Sequence, residues 1–362
     1  MKKIKILLLI NWHIKYLDKE DLNIQPSDQC FDDKFWFFKY FKDEVSVDVV
    51  DTRSIKWIEK FEKNKLHFYI MQTLRVLPKL NNYDLIISHG TTSGIFLDLL
   101  HSFLKFKMPP HIVIDISSFH KASNKGMIFK LCRYASKSVG YLIYHTPIQR
   151  EYFDKYFPWL KDKKSFLTFG VDGHYWGKKE YPVLRRDKYI ISVGYRRRDW
   201  ETLINAYNKS SQDYKLLLVG NGQIKVSNPN IEILPFIPVA QLMGYVKNAK
   251  FCILSLDYLP FSYGQMTLLQ QMALGKVVVA ADVPSLSPYE SDGLKKYKVR
   301  DVEDLCKILN NLYNLSDLKL QYLGEKNRKI INDKYSEEKM ADKLEKICRI
   351  VLRNEKNGKS SD

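Results

Sequence analysis

The segment whose residues could most readily do chemistry is 261–280, which reads FSYGQMTLLQQMALGKVVVA. Apolar side chains recur at spacings of three and four after Gly264, and Gly275 suits a helix C-terminal cap, so a glycine-bearing loop, a short helix and a buried strand are predicted. The first turn of such a helix offers free backbone N–H groups and a positive dipole end, which suit a phosphate, with Gln265 and Thr267 as side-chain partners. Many structural helices also begin after a glycine, so this pattern alone leaves a purely structural function open.

The elements that would position this loop repeat along the whole chain. Short continuous apolar runs alternate with longer amphipathic stretches, which is typical of parallel sheets covered by helices on both faces. These runs occupy residues 4–10, 45–50, 85–87, 112–116 and 141–144, and then 189–193, 216–219, 231–234, 251–256 and 277–280. The 362-residue length also fits two domains. The sequence therefore predicts two doubly wound α/β domains that share a cleft, with ligands outside the carboxyl ends of the strands.

In this setting, residues 261–280 resemble the donor-binding signature of retaining GT-B glycosyltransferases, especially glycosyltransferase family 4. That signature reads Glu, seven residues, Glu, then Ala-Met-Ala-x-Gly-Lys-Pro-Val-Val, and here Ser262 and Gln270 stand at the two glutamate positions. The amide of Gln270 can still hydrogen-bond ribose hydroxyls, whereas Ser262 is too short to replace a glutamate that contacts the transferred sugar. Asp257 or backbone groups around Tyr263 are the alternatives.

The resemblance implies the GT-B architecture of two Rossmann-like domains. We expect an N-terminal acceptor-binding domain over residues 1–178 and a C-terminal nucleotide-sugar-binding domain over 179–335. A closing helix over 336–353 is expected to return toward the first domain, and residues 354–362 to form a flexible tail. The resemblance is strong for residues 189–293 and loose elsewhere.

The same resemblance covers a basic loop after the first strand of the second domain, where the family neutralises the donor diphosphate. Consecutive arginines suit this task because the charge of the leaving group must be offset as the glycosidic bond breaks. Arg198, directly before the expected helix cap Asp199, is the first choice, and a basic loop in solvent is the alternative. With a Gly-x-Gly turn and a nucleobase contact added by resemblance, the predicted donor site comprises Gly194, Arg196, Arg197, Arg198, Gly220, Phe236, Ser262, Tyr263, Gly264, Gln265, Thr267 and Gln270.

The first domain is expected to hold the acceptor. Asn11 follows the first strand in place of the family's glycine-rich loop, and His89 with Gly90 resembles the family's histidine-containing loop near the cleft. A buried or capping histidine is the alternative there. Asp115 and His120 align with the strand end that often carries a catalytic Asp or His, although either could simply cap the turn between them.

No Asp-x-Asp triad occurs in the chain, so no metal and no cofactor are expected, and arginines with a helix dipole would replace the metal. The resemblance implies a hexosyl transfer with retention, from a nucleotide-sugar donor to a glycan or lipid-linked acceptor, in cell-surface glycan biosynthesis. A nucleotide-sugar epimerase and a non-catalytic protein that binds nucleotide sugar or nucleic acid are the alternatives.

The net charge of +17 favours an anionic partner, although a lysine-rich solvated surface explains it equally well. No recognised nucleic-acid motif accompanies it, so nucleic acid is not expected. Five scattered cysteines indicate a reducing compartment, and no apolar run approaches the roughly 20 residues that span a bilayer. We expect a cytoplasmic protein, peripheral on the inner face of the membrane if clusters of lysines and aromatics at 56–61, 101–107 and 152–164 face lipid. Burial of these aromatics is the alternative.

Overall fold

The computed structural model describes residues 3–116, 119, 124–177, 183–211, 213–220 and 224–359. Its strands are β1 (Ile4–Ile10), β2 (Lys15–Tyr16), β3 (Gln29–Cys30), β4 (Val45–Val50), β5 (Leu85–His89), β6 (His111–Asp115), β7 (Tyr141–Tyr144), β8 (Lys164–Phe166), β9 (Tyr189–Val193), β10 (Lys215–Val219), β11 (Ile231–Leu234), β12 (Cys252–Leu254), β13 (Val278–Ala281) and β14 (Leu294–Tyr297).

Its α-helices are α1 (Lys56–Phe61), α2 (Ile70–Val76), α3 (Thr91–Leu104), α4 (Gly126–Ala135), α5 (Gln149–Tyr156), α6 (Gly173–Trp176), α7 (Trp200–Lys209), α8 (Val239–Asn248), α9 (Gln265–Ala273), α10 (Val302–Tyr313), α11 (Asp317–Lys334) and α12 (Glu337–Lys359). Short 3₁₀ turns join several of them, including Pro26–Asp28 and Trp36–Tyr40. No helix in the described ranges combines the length and the apolarity that crossing a membrane requires.

The described residues form two parallel six-stranded sheets, ordered β4-β1-β5-β6-β7-β8 and β11-β10-β9-β12-β13-β14. The central strands are continuous apolar runs that are buried on both faces, because helices cover each side. In both sheets the strand order reverses beside the first strand, β1 or β9, and this switch point is where ligands of doubly wound domains bind. The predicted fold class, two Rossmann-like α/β domains, is confirmed.

The last helix, α12, packs against the first domain, although it follows the second domain in the chain. Met340, Leu344 and Ile347 belong to the same hydrophobic core as β1 and β4. Arg349 also forms an ion pair with Asp43 at 2.7 Å. The helix continues to Lys359, beyond the predicted limit of residue 353.

Candidate functional site

A cavity of about 340 Å³ lies between the two domains, at the carboxyl ends of β1 and β5 and at the start of α9. Seven predicted site residues line it, namely His89, Ser262, Tyr263, Gly264, Gln265, Thr267 and Gln270. The remaining lining residues were not predicted, and they are Trp12, Gln25, Ser27, Asp28, Trp36, Ile116, Phe169 and Met266. A larger concavity of about 500 Å³ lies around Lys247 and Lys276, at the amino-terminal edge of the second sheet, away from the switch point.

The loop before α9 is built so that the first turn of the helix faces the cavity. Gly264 has a φ of +79°, and a Cβ there would lie 2.7 Å from Leu256 Cδ1, so only glycine fits this approach. The Ser262 hydroxyl donates to Gln265 Oε1 at 3.1 Å, and Gln265 Nε2 donates across the cleft to the carbonyl of His145 at 3.4 Å. The first-turn N–H groups of α9 have no acceptor within the helix, as in any α-helix, so they can donate hydrogen bonds to a bound anion.

Arg198 lies beside this helix and meets no acidic side chain among its described partners. Its Nε donates to the carbonyl of Val193 at 3.0 Å, and one terminal nitrogen donates to Thr267 Oγ1 at 3.3 Å. Burial lowers the pKa of the guanidinium to about 10. Such a desolvated cation lacks a counter-ion in the described structure, and the contact with Thr267 aims it at the first turn of α9.

Two glycines shape the wall around Arg198. A Cβ on Gly194 would lie 2.0 Å from Arg198 Nε, so the guanidinium can pack there only because position 194 carries no side chain. A Cβ on Gly220 would meet the Tyr195 ring at 2.6 Å. Tyr195, which sequence reasoning missed, pairs with the exposed Phe236 ring at a centroid distance of 5.3 Å, and the two rings form an aromatic ledge.

The side chains of Arg196 and Arg197 do not lie beside α9 as that of Arg198 does. Both side chains are exposed, and Arg197 adopts a φ of +56°, which a non-glycine residue rarely takes. The triplet therefore divides into one half-buried cation, which the structure brings beside α9, and two exposed ones at the rim of the loop.

On the first domain, Asn11 and Gly90 pack against each other at the ends of neighbouring strands. Asn11 Nδ2 donates to Thr92 Oγ1 at 3.3 Å, and a Cβ on Gly90, whose φ is +95°, would lie 2.5 Å from Asn11 Nδ2. His89 lines the cavity beside them. Its pKa is lowered to about 3 by burial and by the neighbouring His145, so the imidazole is neutral near pH 7 and can serve as a hydrogen-bonding group.

Three aromatic side chains enclose His89. The rings of Trp12 and Trp36 have centroids 5.1 Å and 5.2 Å from the imidazole, and the ring of Phe169, which stacks on His145 at 3.7 Å, lies 6.4 Å from it. Trp36 holds a φ of +53°, and its Nε1 donates to the buried carboxyl of Glu337 at 2.6 Å. The first turn of α12 therefore fixes an indole in the cavity wall.

Asp28 is the carboxylate that this wall presents to the cavity. Gln25 Nε2 donates to it at 2.7 Å and the Ser27 hydroxyl at 3.2 Å, and burial raises its pKa. The backbone carbonyl of the adjacent Ser27 also accepts a hydrogen bond from the Trp12 indole N–H at 2.9 Å. No motif marks these residues, and the only sequence signal was the unusual density of Trp, Asp and Gln after β1.

Of the two predicted catalytic residues, Asp115 does not line the cavity. Asp115 is fully buried, and its carboxylate accepts from Thr91 at 2.5 Å and from the Phe119 amide and Gln149 at 3.3 Å. These contacts fit the alternative in which Asp115 caps the turn after β6, so its catalytic role stays a prediction. His120 lies outside the described residues.

Within the described ranges, no group of three or more His, Cys, Asp or Glu side chains is arranged to hold a metal ion. Metal independence continues to rest on the missing Asp-x-Asp motif and on Arg198, and it stays a prediction.

Comparisons with known proteins agree with the two-domain fold. The model of the family Glycosyl transferases group 1 matches residues 187–315. A search among curated proteins finds no match. Sucrose-phosphate synthase from Thermosynechococcus elongatus is 14% identical, with 97% of this chain and 100% of that chain covered and a TM-score of 0.69. A glycosyltransferase from Rickettsia africae is 15% identical, with 98% and 100% covered and a TM-score of 0.68. HepE from Anabaena, in complex with UDP, is 12% identical, with 96% and 100% covered and a TM-score of 0.66.

Fold and cleft together define a protein of the GT-B architecture. Residues 187–315 match the model of the family Glycosyl transferases group 1, in agreement with the resemblance predicted from residues 189–293. The narrower placement in glycosyltransferase family 4 stays a prediction.

Proposed function

We propose that the protein transfers a sugar from a nucleotide-sugar donor to an acceptor held by the first domain. The observation that carries this proposal is Arg198, a buried guanidinium that contacts Thr267 in the first turn of α9 at the edge of the interdomain cavity. A diphosphate would satisfy both the unpaired cation and the first-turn amides. The family of residues 187–315 and the UDP and UDP-glucose complexes of HepE support a nucleotide sugar as the ligand.

The donor would lie along the second domain in a defined direction. The Tyr195 and Phe236 ledge suits the flat nucleobase, because aromatic rings stack on bases. Gln270, at the cavity, suits the ribose hydroxyls. The diphosphate would lie against both Arg198 and the first turn of α9, so that the sugar projects toward the first domain.

The proposed chemistry is retaining transfer without a metal. As the anomeric C–O bond breaks, negative charge develops on the diphosphate, and Arg198 with the dipole of α9 stabilises it. The acceptor hydroxyl attacks from the leaving-group face, and a donor phosphate oxygen takes its proton. Neutral His89 would contribute a hydrogen bond to the sugar rather than a charge.

The acceptor wall has the composition of a carbohydrate-binding surface, with indole rings beside polar groups. Trp12 and Trp36 would cover the apolar face of a sugar ring, and Asp28 would accept hydrogen bonds from its hydroxyls. We propose a glycan or lipid-linked acceptor in cell-surface glycan biosynthesis on the cytoplasmic side of the membrane, with Asn11 and Gly90 shaping the floor beneath it.

The test is incubation of the purified protein with a panel of nucleotide sugars in the absence of acceptor. Slow release of one free sugar and its nucleoside diphosphate supports the proposal, because water then replaces the acceptor. Recovery of an epimeric nucleotide sugar would assign an epimerase instead, and binding without any turnover of the panel would assign a non-catalytic protein.

A further inference from the structure

Helix α4 exposes apolar side chains where a surface helix normally carries polar ones. Phe129, Cys132 and Ala135 fill the core beneath it. The outward face carries Met127 at 76% exposure, Ile128 at 67%, Leu131 at 43% and Tyr134 at 41%. A helix that is apolar on both faces needs a second apolar environment outside the domain.

The end of α3 extends this apolar area. Tyr134 and Ser102 exchange two hydrogen bonds, from the Tyr134 hydroxyl to the Ser102 carbonyl at 3.0 Å and from the Ser102 hydroxyl to the Tyr134 carbonyl at 3.3 Å. These bonds hold the two helices side by side, and the next residues, Phe103 and Leu104, are 76% and 62% exposed. We name as the docking face the six side chains Phe103, Leu104, Met127, Ile128, Leu131 and Tyr134.

The exposed charged side chains on and beside the two helices of the docking face are basic. Residues 99–150 contain eight lysines and arginines and one acidic residue, Asp115, which is fully buried. The basic side chains exposed on and beside the two helices are Lys105, Lys107, Lys125, Lys130, Arg133 and Lys137. The nearest acid before this stretch, Asp98, is also buried, and it holds His111 at 2.8 Å. The next acids along the chain, Glu151 and Asp154, lie on α5, and Asp154 is paired with Lys164 at 2.6 Å, so the two helices of the docking face carry no exposed acid of their own.

We propose that the docking face binds the surface of an anionic lipid bilayer. Exposed apolar side chains would enter the headgroup region, while the surrounding lysines and Arg133 meet lipid phosphates. At 1.5 Å per residue, the stretch from Met127 to Tyr134 covers roughly 10 Å of membrane contact along α4.

This placement deepens the proposed function, on which its biological meaning rests. The amino end of α4 lies on the strand-carboxyl side of the first sheet, because the helix follows the connection that leaves the end of β6. The cavity opens on that same side, so a lipid-linked acceptor would reach it from the Met127 end of the docking face, whereas Phe103, Leu104 and Tyr134 lie toward the strand-amino edge.

The other two clusters predicted to face lipid behave differently. In the cluster at 152–164 the aromatic side chains face the core rather than solvent, since Phe153 and Phe157 are fully buried and Trp159 is half-buried. In α1, Trp57 and Phe61 are 70% and 50% exposed, so they are not one buried face. That helix follows β4, at the opposite edge of the strand order from β6 and β7, and it carries Glu59. Trp57 therefore provides an exposed aromatic control.

The test is co-sedimentation of the full chain with phosphatidylcholine vesicles that do or do not contain phosphatidylglycerol, over a series of salt concentrations. We expect binding only to the anionic vesicles, weakening as salt rises. Double substitution Lys130→Glu with Arg133→Glu should lower the vesicle partition coefficient about 30-fold or more, since each basic residue is worth roughly fivefold. Ile128→Gln with Leu131→Gln should lower it at every salt concentration.

Matched controls are Trp57→Ser and the pair Leu318→Gln with Lys329→Glu, exposed positions away from the docking face, which should bind as the unaltered protein does. Equal loss in these controls, equal binding to neutral vesicles, or no binding to anionic vesicles at low salt would each overturn the proposal. Donor hydrolysis is measured in parallel without vesicles. Intact hydrolysis with no vesicle binding therefore refutes the docking face alone, whereas absent hydrolysis with normal binding refutes the transferase.

Discussion

Replacement of Arg198 by methionine should remove nucleoside diphosphate binding without unfolding the protein. In the free protein this guanidinium is held by the Val193 carbonyl and Thr267 Oγ1, with no acidic partner among the described contacts. Burial lowers its pKa to about 10, which corresponds to a penalty on the charged form on the order of 3 kcal/mol. A bound diphosphate would offset this penalty, because its negative charge would lie beside a cation that is already oriented and desolvated.

The expected magnitude follows from that arrangement. Truncating one partner of a buried, hydrogen-bonded charge pair costs about 2–4 kcal/mol, or about a 30- to 800-fold loss of affinity. The same substitution should not lower the thermal stability of the folded protein. An apolar side chain of similar length removes an uncompensated buried charge, so the melting temperature of Arg198→Met should be unchanged or higher.

The assay is isothermal titration of UDP, GDP and ADP into the unaltered and variant proteins, with melting temperatures measured on the same preparations. Arg196→Ala and Arg197→Ala serve as controls, and as exposed charges they should each change affinity by no more than about fivefold. Unchanged diphosphate affinity in Arg198→Met would refute the assignment. A large fall in melting temperature would show instead that Arg198 is mainly structural.

Three further outcomes are expected. Sugar release from the donor should survive EDTA, since Arg198 and α9 supply the positive charge; activity that stops with EDTA and returns with manganese would contradict this mechanism. Asp28→Asn should raise KM for the acceptor while leaving acceptor-free donor hydrolysis unchanged, and an equal loss of both activities would remove Asp28 from the acceptor wall. Burial, with neighbouring Asp172, raises the pKa of Glu337 from 4.5 to about 8, against the opposing effect of Lys39. The folded state therefore holds more protons between those values, and stability should fall as pH rises from about 5 to 8. Glu337→Gln should flatten this slope in thermal melts, and an identical slope would refute the protonated carboxyl.

The sequence by itself determined the features that depend on short stretches of chain. Apolar runs of four to seven residues specify buried parallel strands, and their alternation with amphipathic segments specifies doubly wound domains. The Gly264 loop and the helix that follows it are equally local, since backbone geometry and helical periodicity arise within a few residues. The family match over residues 187–315 lies in the part of the chain where these local signals are densest.

Only the tertiary structure decided which side chains share the cavity. Trp36 enters the wall because Glu337, about 300 positions later, accepts its indole N–H, and no periodicity encodes that contact. The extent of burial also distinguishes Arg198 from the two exposed arginines that precede it. Asp115 lies in the core, whereas its position at a strand end is what suggested a catalytic role. Desolvation and pairing depend on everything packed around a group, so they are properties of the assembled fold rather than of its local sequence.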